Sequence, residues 1–288
     1  MSAPRIADLL RAARQRLAGP QAALEAQVLL AHVLGRPRSH LLAWPEQPVA
    51  AAAAARFRTL LARRGAGEPL AYLTGEREFW SLPLRVTPAV LIPRPETELL
   101  VEQALARLPA GPCRVADLGT GSGAIALALA SERPAWHLDA SDASAAALAV
   151  ARDNARRLGL AARVAFHHGP WYAALPRGVR YHALVSNPPY VASGDPHLTR
   201  GDLPFEPRVA LAAGPDGLAA LRALVAGAPD RLHPGGWLLL EHGHDQGAAV
   251  RALLRARGFV AVATHRDLAG LPRATLGRLP HPALPRPC

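Results

Sequence analysis

The chain has 288 residues, half of them hydrophobic, which is enough for one large α/β domain, a smaller companion and a sizeable core. The opening Met1-Ser2-Ala3-Pro4-Arg5 is not a basic run leading into an apolar stretch, and no run of about 18 uncharged apolar residues occurs, so neither a secretory signal nor a membrane span is expected, and the cytoplasm is. Cys113 and Cys288 alone build neither a disulfide framework nor a zinc cluster, and the net charge of +11 comes from 33 scattered basic residues, all arginine, with no run that marks a nucleic-acid binder.

Taken in chain order, Ile6, Leu9, Leu10, Ala13 and Leu17 recur at helical spacing until Gly19-Pro20, and further helices are predicted over 21–35 and 49–65. The alanine run 50–55 favours helix but brings little apolar bulk. Residues 1–75 are therefore read as a thin N-terminal helical bundle, a cap or partner-binding element rather than a catalytic core. Residues 76–92 carry two short β-type runs, Glu78-Phe79-Trp80 and Leu82 to Val86, which make a hairpin linker.

From 93 to 279, strand and helix signals alternate. Strands are predicted over 113–118, 136–140, 163–167, 183–186 and 237–241, with helices between most of them, followed by 259–264 and 274–279 joined without a helix. The expected fold is α/β: a doubly wound, mostly parallel, seven-stranded Rossmann-like sheet ending in an antiparallel edge. A proline-rich tail, 280–288, is expected to be disordered.

Asp117-Leu118-Gly119-Thr120-Gly121-Ser122-Gly123-Ala124 follows the first strand of this sheet and opens the next helix, where such a fold binds a nucleotide-like ligand. Glycines there let a ligand approach the backbone. Gly119, Gly121 and Ala124 also satisfy the loose dinucleotide pattern, so the turn by itself leaves the cofactor open. Asp139 and Asp142 lie about 20 residues downstream, at the end of the second strand, where a carboxylate can accept from both ribose hydroxyls. Asp142, which leads directly into the helix from Ala145, is the candidate; service as a plain helix N-cap is the competing reading.

Asn187-Pro188-Pro189-Tyr190 falls at the carboxyl end of the fourth strand, at the mouth of the same crevice. The Asn187 side-chain oxygen and the Pro188 carbonyl can each accept one N–H of a planar NH2 group, the prolines stiffen the segment, and Tyr190 can lie flat against the plane. An amide or exocyclic amine nitrogen is a poor nucleophile until its hydrogens are held and its geometry fixed. Such a site needs in-line alignment, acceptor dipoles and exclusion of water, which suits transfer of an activated sulfonium methyl.

With these two motifs, the blocks Pro93-Arg94-Pro95-Glu96-Thr97-Glu98, Gly201 to Arg208, Leu240-Glu241-His242-Gly243 and Gln246-Gly247 make the chain closely resemble the release factor glutamine methyltransferases, over nearly its whole length. The resemblance implies a class I methyltransferase sheet, S-adenosyl-L-methionine as cofactor with S-adenosyl-L-homocysteine as product, and peptide chain release factors as partners, methylated on the glutamine amide of a Gly-Gly-Gln motif. The family's cofactor contacts map to Gly119, Thr120, Gly121, Ser122, Gly123, Asp142, Trp171 and Asn187, with Trp171 near the adenine. Its substrate contacts map to Asn187, Pro188, Pro189 and Tyr190, of which Asn187, Pro188 and Tyr190 are the catalytic set, and the N-terminal bundle is expected to bind substrate. The chain departs from the family at Pro170, where an acidic residue is common, so a loop carbonyl would replace that side chain as acceptor for the adenine amino group.

The alternative is an amino-group methyltransferase acting on adenine or guanine of DNA or RNA, which usually carries a recognisable binding module. Direct nucleic-acid binding is not expected, and a monomer is. An oxidoreductase reading of the glycine turn leaves Asn187 to Tyr190 unexplained, and a non-catalytic module docking on a translation factor would bind without transferring methyl. Glu96 and Glu98, in the first turn of a helix, suit the helix dipole regardless of function. His167-His168 and His242-Gly243-His244 lack a companion carboxylate pair or cysteine cluster and are read as surface or loop histidines, not metal ligands.

Overall fold

The computed structural model describes residues 3–281, so Cys288 and most of the predicted tail lie outside it. Two compact units emerge: the residues up to Glu76 with Arg200–Phe205, and Arg77–Thr199 with the residues from Glu206 onward. Among the described residues, no helix is long and apolar enough to cross a membrane.

The first unit comprises α1 (Ile6–Arg14), α2 (Ala22–Leu34), α3 (Arg38–Ala43), α4 (Ala51–Gly65) and α5 (Leu70–Thr74). Ile6, Leu9, Leu29, Leu30, Phe57 and Leu61 form its core. The sequence announces α1, α2 and α4 but not α3 and α5, whose 6 and 5 residues are too short to show a period. Arg64 on α4 grips Glu25 of α2 with Nε and Nη2 at 2.9 and 2.8 Å, and its Nη1 donates to the Glu68 carbonyl at 3.0 Å and to Asp202 at 3.4 Å. This arginine thus fastens a segment from far along the chain into the helical unit.

The second unit opens with the hairpin β1 (Glu76–Phe79) and β2 (Leu82–Arg85), turned by Trp80 and Ser81 at φ 52° and 59°. Two positive φ angles suit the right-handed twist of a two-residue hairpin but strain residues that are not glycine. Glu98 accepts the Trp80 backbone N–H at 2.8 Å and Glu132 accepts its indole N–H at 2.8 Å, which holds the turn. The chain continues through α6 (Glu98–Arg107), β3 (Cys113–Leu118), α7 (Ala124–Glu132), β4 (Trp136–Asp142), α8 (Ala145–Arg157), β5 (Val164–His168), β6 (Tyr181–Ser186), α9 (Ala219–Arg231), β7 (Leu232–Glu241), α10 (Gly247–Ala256), β8 (Val260–Arg266) and β9 (Pro272–Arg278).

The strands form one seven-stranded sheet in the order β5-β4-β3-β6-β7-β9-β8. Strands β3 to β7 are parallel; β9 runs antiparallel between β7 and β8. One apolar cluster joins Leu100, Leu127, Leu129, Trp136 and Leu239, and another joins Leu184, Leu221, Leu224, Leu238 and Leu254. Between β5 and β6 the connection holds only a short 3-10 turn, Trp171–Ala173, in place of a crossover helix. Because β3 is flanked by β4 on one side and β6 on the other, the strand order reverses there, and the crevice beyond the carboxyl ends of β3 and β6 is where this topology places ligands.

Candidate active site

The turn after β3 carries Gly119, Gly121 and Gly123 at φ 76°, 57° and 87°, left-handed conformations that only glycine adopts readily. The Gly119 and Thr120 N–H groups donate to the Ser141 carbonyl at 2.8 and 2.9 Å, binding the turn to the end of β4. Beneath it, Asp117 is fully buried and accepts from the Thr120 hydroxyl at 2.6 Å and the Ala126 N–H at 3.2 Å. Burial pushes its carboxyl up to about 7 despite those two donors, and its Oδ1 has no hydrogen-bond partner. The Thr120 side chain therefore points inward and Ser122 is buried, so the partly exposed face of the turn is formed by Gly119 and Gly121.

Strand β4 runs two residues further than the sequence indicates, making Asp142 its last residue. Asp142 Oδ2 accepts the Gly121 N–H at 2.9 Å and Oδ1 accepts the Ser144 N–H at 2.8 Å. The N-cap of α8 is Ser144, whose hydroxyl accepts the Ala147 N–H at 3.1 Å, so Asp142 is not the cap and keeps acceptor capacity on both oxygens. Asp139 is committed elsewhere: buried, it binds Arg114 Nε and His167 Nε2, both at 2.7 Å. Burial raises its carboxyl, but those two partners outweigh burial and hold it below the ordinary range.

Trp171, at φ 43°, lies partly buried with its indole against the glycine turn; a Cβ on Gly119 would stand 3.0 Å from indole Cζ3. Gly119 is thus required by its conformation and by the ring above it. Pro170 spends its carbonyl on the Ala173 N–H at 3.0 Å.

At the end of β6, the Ser186 hydroxyl donates to the Leu118 carbonyl at 2.6 Å, fixing the start of Asn187 to Tyr190 beside the glycine turn. Asn187 Nδ2 donates to Thr97 Oγ1 at 3.0 Å, and Thr97 Oγ1 donates to Glu241 Oε2 at 2.7 Å. The Tyr190 hydroxyl donates to Glu241 Oε1 at 3.2 Å. The Tyr190 carbonyl accepts from Gln246 Nε2 at 2.9 Å, while Gln246 Oε1 accepts the Gly243 N–H at 2.9 Å. Among the described residues, nothing donates to Asn187 Oδ1 or to the Pro188 carbonyl, the two acceptors assigned to an incoming NH2 group. Burial pushes the Glu241 carboxyl up to about 7, with Thr97, Arg273 and Tyr190 opposing and Glu96 reinforcing the rise. Burial also raises the Tyr190 phenol well above its ordinary value.

Thr97 and Glu241 stand in the blocks that carry the family resemblance, yet neither is among the residues assigned to the site from sequence. Thr97 is 90 positions from Asn187 and 144 from Glu241, and no local spacing joins them. Arg94, in the same block as Thr97, pairs with the buried Glu206 at 2.6 Å and so links a third block to these two. Of the histidines, His168 and His244 are exposed as expected, but His167 lies in β5, paired with Asp139, and His242, in the loop after β7, is fully buried, Nδ1 donating to the Gly243 carbonyl at 2.8 Å and Nε2 accepting from Thr275 at 2.7 Å. Burial lowers the His242 pKa, consistent with a neutral ring accepting from a hydroxyl. Among the described residues, no group of three or more His, Cys, Asp or Glu side chains is arranged to hold a metal ion.

Two family models match the chain, the PrmC N-terminal domain over residues 8–75 and the methyltransferase small domain over residues 95–200. A release factor glutamine methyltransferase of Burkholderia pseudomallei is 56% identical over 280 residues, covering 95% of this chain and 96% of the relative. One from Xylella fastidiosa is 56% identical over 273 residues, covering 94% of this chain and 97% of its own. A crystallised T. thermophilus 16S rRNA N2 G1207 methyltransferase in complex with AdoMet and guanosine superposes with a TM-score of 0.54 over 71% of this chain and 49% of that one, at 21% identity, a likeness of fold alone. With more than half of its residues shared over nearly its full length with such relatives, the chain belongs to the release factor glutamine methyltransferase family.

Proposed function

We propose that the protein transfers a methyl group from S-adenosyl-L-methionine to the side-chain amide nitrogen, N5, of the glutamine in the Gly-Gly-Gln motif of peptide chain release factors, leaving S-adenosyl-L-homocysteine. The observation that carries this reading is the state of the Asn187 amide: Nδ2 is spent on Thr97, which leaves Oδ1 and the adjacent Pro188 carbonyl as paired acceptors without protein donors. Two acceptors side by side on a stiff segment match the two N–H groups of a primary amide.

The residues fit the cofactor. Gly119 and Gly121 keep part of their backbone exposed on a turn whose buried Thr120, Ser122 and Gly123 hold its shape, Asp142 retains acceptor capacity for ribose hydroxyls, and Trp171 against Gly119 would border the adenine. When bound, S-adenosylmethionine supplies a methyl that is already electrophilic, so the protein's part is alignment. Asn187 Oδ1 and the Pro188 carbonyl would hold the amide hydrogens, Tyr190 would fix the amide plane, and Pro188 and Pro189 would keep the acceptors from turning away. As N5 takes the methyl, the electron pair of the C–S bond would return to sulfur, and one amide proton, held at Asn187 Oδ1 or the Pro188 carbonyl, would pass to solvent. The helical unit is assigned to gripping the release factor, a role supported by the match of its own family model.

Incubation with labelled S-adenosylmethionine, candidate release factors and RNA, followed by mass spectrometry, tests the reading. Label is expected on the Gly-Gly-Gln glutamine, and Asn187→Ala is expected to lower the transfer rate about 100-fold or more while cofactor affinity measured by calorimetry persists. Label on nucleic acid alone would overturn it.

A further inference from the structure

An asparagine amide is nearly symmetrical in shape and opposite in polarity at its two ends. Rotated by half a turn about Cβ–Cγ, Asn187 would present a donor to the substrate NH2 group instead of an acceptor, and two donors would face each other. Something must choose the orientation. Thr97 Oγ1 has one hydrogen, and with Glu241 ionised, when its carboxylate can only accept, that hydrogen is used on Oε2 at 2.7 Å. Toward Asn187 the hydroxyl therefore presents only lone pairs, so only Nδ2 can face it, as observed at 3.0 Å. The other oxygen of the same carboxyl accepts from the Tyr190 hydroxyl at 3.2 Å. Thr97 and Glu241 are 4% and 1% exposed, so bulk water cannot readily substitute for either partner.

We propose that Glu241 is a positioning residue that acts through Thr97: it directs the Thr97 hydroxyl, which turns the Asn187 amide oxygen toward the substrate nitrogen, and through its second oxygen it sets the angle of the Tyr190 ring. The inference rests on the reading that Asn187 is an acceptor for a glutamine amide. Neither Thr97 nor Glu241 touches the reacting atoms in this scheme.

The decisive comparison is Thr97→Val against Thr97→Ser in the full-length protein, assayed by methyl transfer to a release factor. Valine keeps the shape of threonine but offers Asn187 no lone pair, while serine keeps the hydroxyl. For Thr97→Val, kcat is expected to fall about 10- to 100-fold with KM for the release factor and affinity for S-adenosylhomocysteine within about twofold of wild type, and Thr97→Ser is expected to restore most of the rate. Should the valine variant fail to fold, Thr97→Ala, with no methyl to force into the network, makes the same comparison. A valine or alanine variant that folds and keeps wild-type kcat, or a serine variant as slow as valine, overturns the inference. Asn187→Ala tells this apart from failure of the underlying reading: if it loses its rate while Thr97→Val does not, only the positioning role falls; if it too keeps its rate, the acceptor role of Asn187 falls with it.

Discussion

Glu241 ends β7 with its carboxyl buried, so it holds its proton to about 7 in the folded chain but would lose it near 4.5 when unfolded. Between those values the folded state binds more protons, and stability falls as pH rises, by at most about 1.4 kcal/mol per pH unit for one such group. Asp117 contributes with the same sign. Glu241→Gln has no proton to lose; subtracting its denaturation midpoints from those of wild type between pH 5 and 8 should give a difference that declines with pH and levels off above about 7. A flat difference would show that Glu241 titrates normally. At this scale the sequence exposes what is local: the glycine turn and Asn187 to Tyr190 are contiguous, and their positive φ angles and proline stiffness are written in adjacent letters. Thr97 and Glu241 are ordinary residues whose chemistry arises only when the turn before α6 and the end of β7 meet the end of β6, so no pattern along the chain reveals them.

Among the elements, α8 contributes more than a layer on the sheet. Its buried Asn154 accepts the Arg85 N–H through Oδ1 at 2.7 Å and donates through Nδ2 to the Arg85 and Ser122 carbonyls at 3.0 and 2.9 Å. One amide therefore ties the second hairpin strand to the glycine turn. Asn154→Leu would leave three backbone groups without that partner, and a loss of about 2 kcal/mol or more is expected. Because Ser122 belongs to the turn, affinity for S-adenosylhomocysteine should drop as well; thermal melts and calorimetry read the two effects. The inner strands β3 and β6 are legible to within two residues because burial on both faces leaves nearly continuous apolar runs, whereas β7 begins at Leu232, five residues before its expected start. Helices α3 and α5 are not legible, being held by contacts rather than by period, and the connection from β5 to β6 lacks the helix that the alternation implies.

In the molecule as a whole, the chain leaves the sheet unit after Thr199, lends Arg200–Phe205 to the helical unit, and returns at Glu206. Composition cannot show this exchange, since it depends on Arg64 meeting Asp202, 138 positions away. The sheet holds a second long-range dependence. Strand β8 pairs only with β9, and β9 supplies Ala274, Thr275 and Leu276 to the interior. A chain stopped after Arg266 should lack a cooperative unfolding transition and accumulate as aggregate, measured by sedimentation and circular dichroism, because β7 is left as a bare edge.

That placement of β9 also governs the timetable of synthesis. Strand β9 is made after β8 yet takes the position inside it, so until β9 has emerged from the ribosome the nascent sheet has a slot open between β7 and β8. Folding of this half cannot finish from the front; it must wait for β9, and during that interval the exposed edge of β7 is the feature a chaperone would guard.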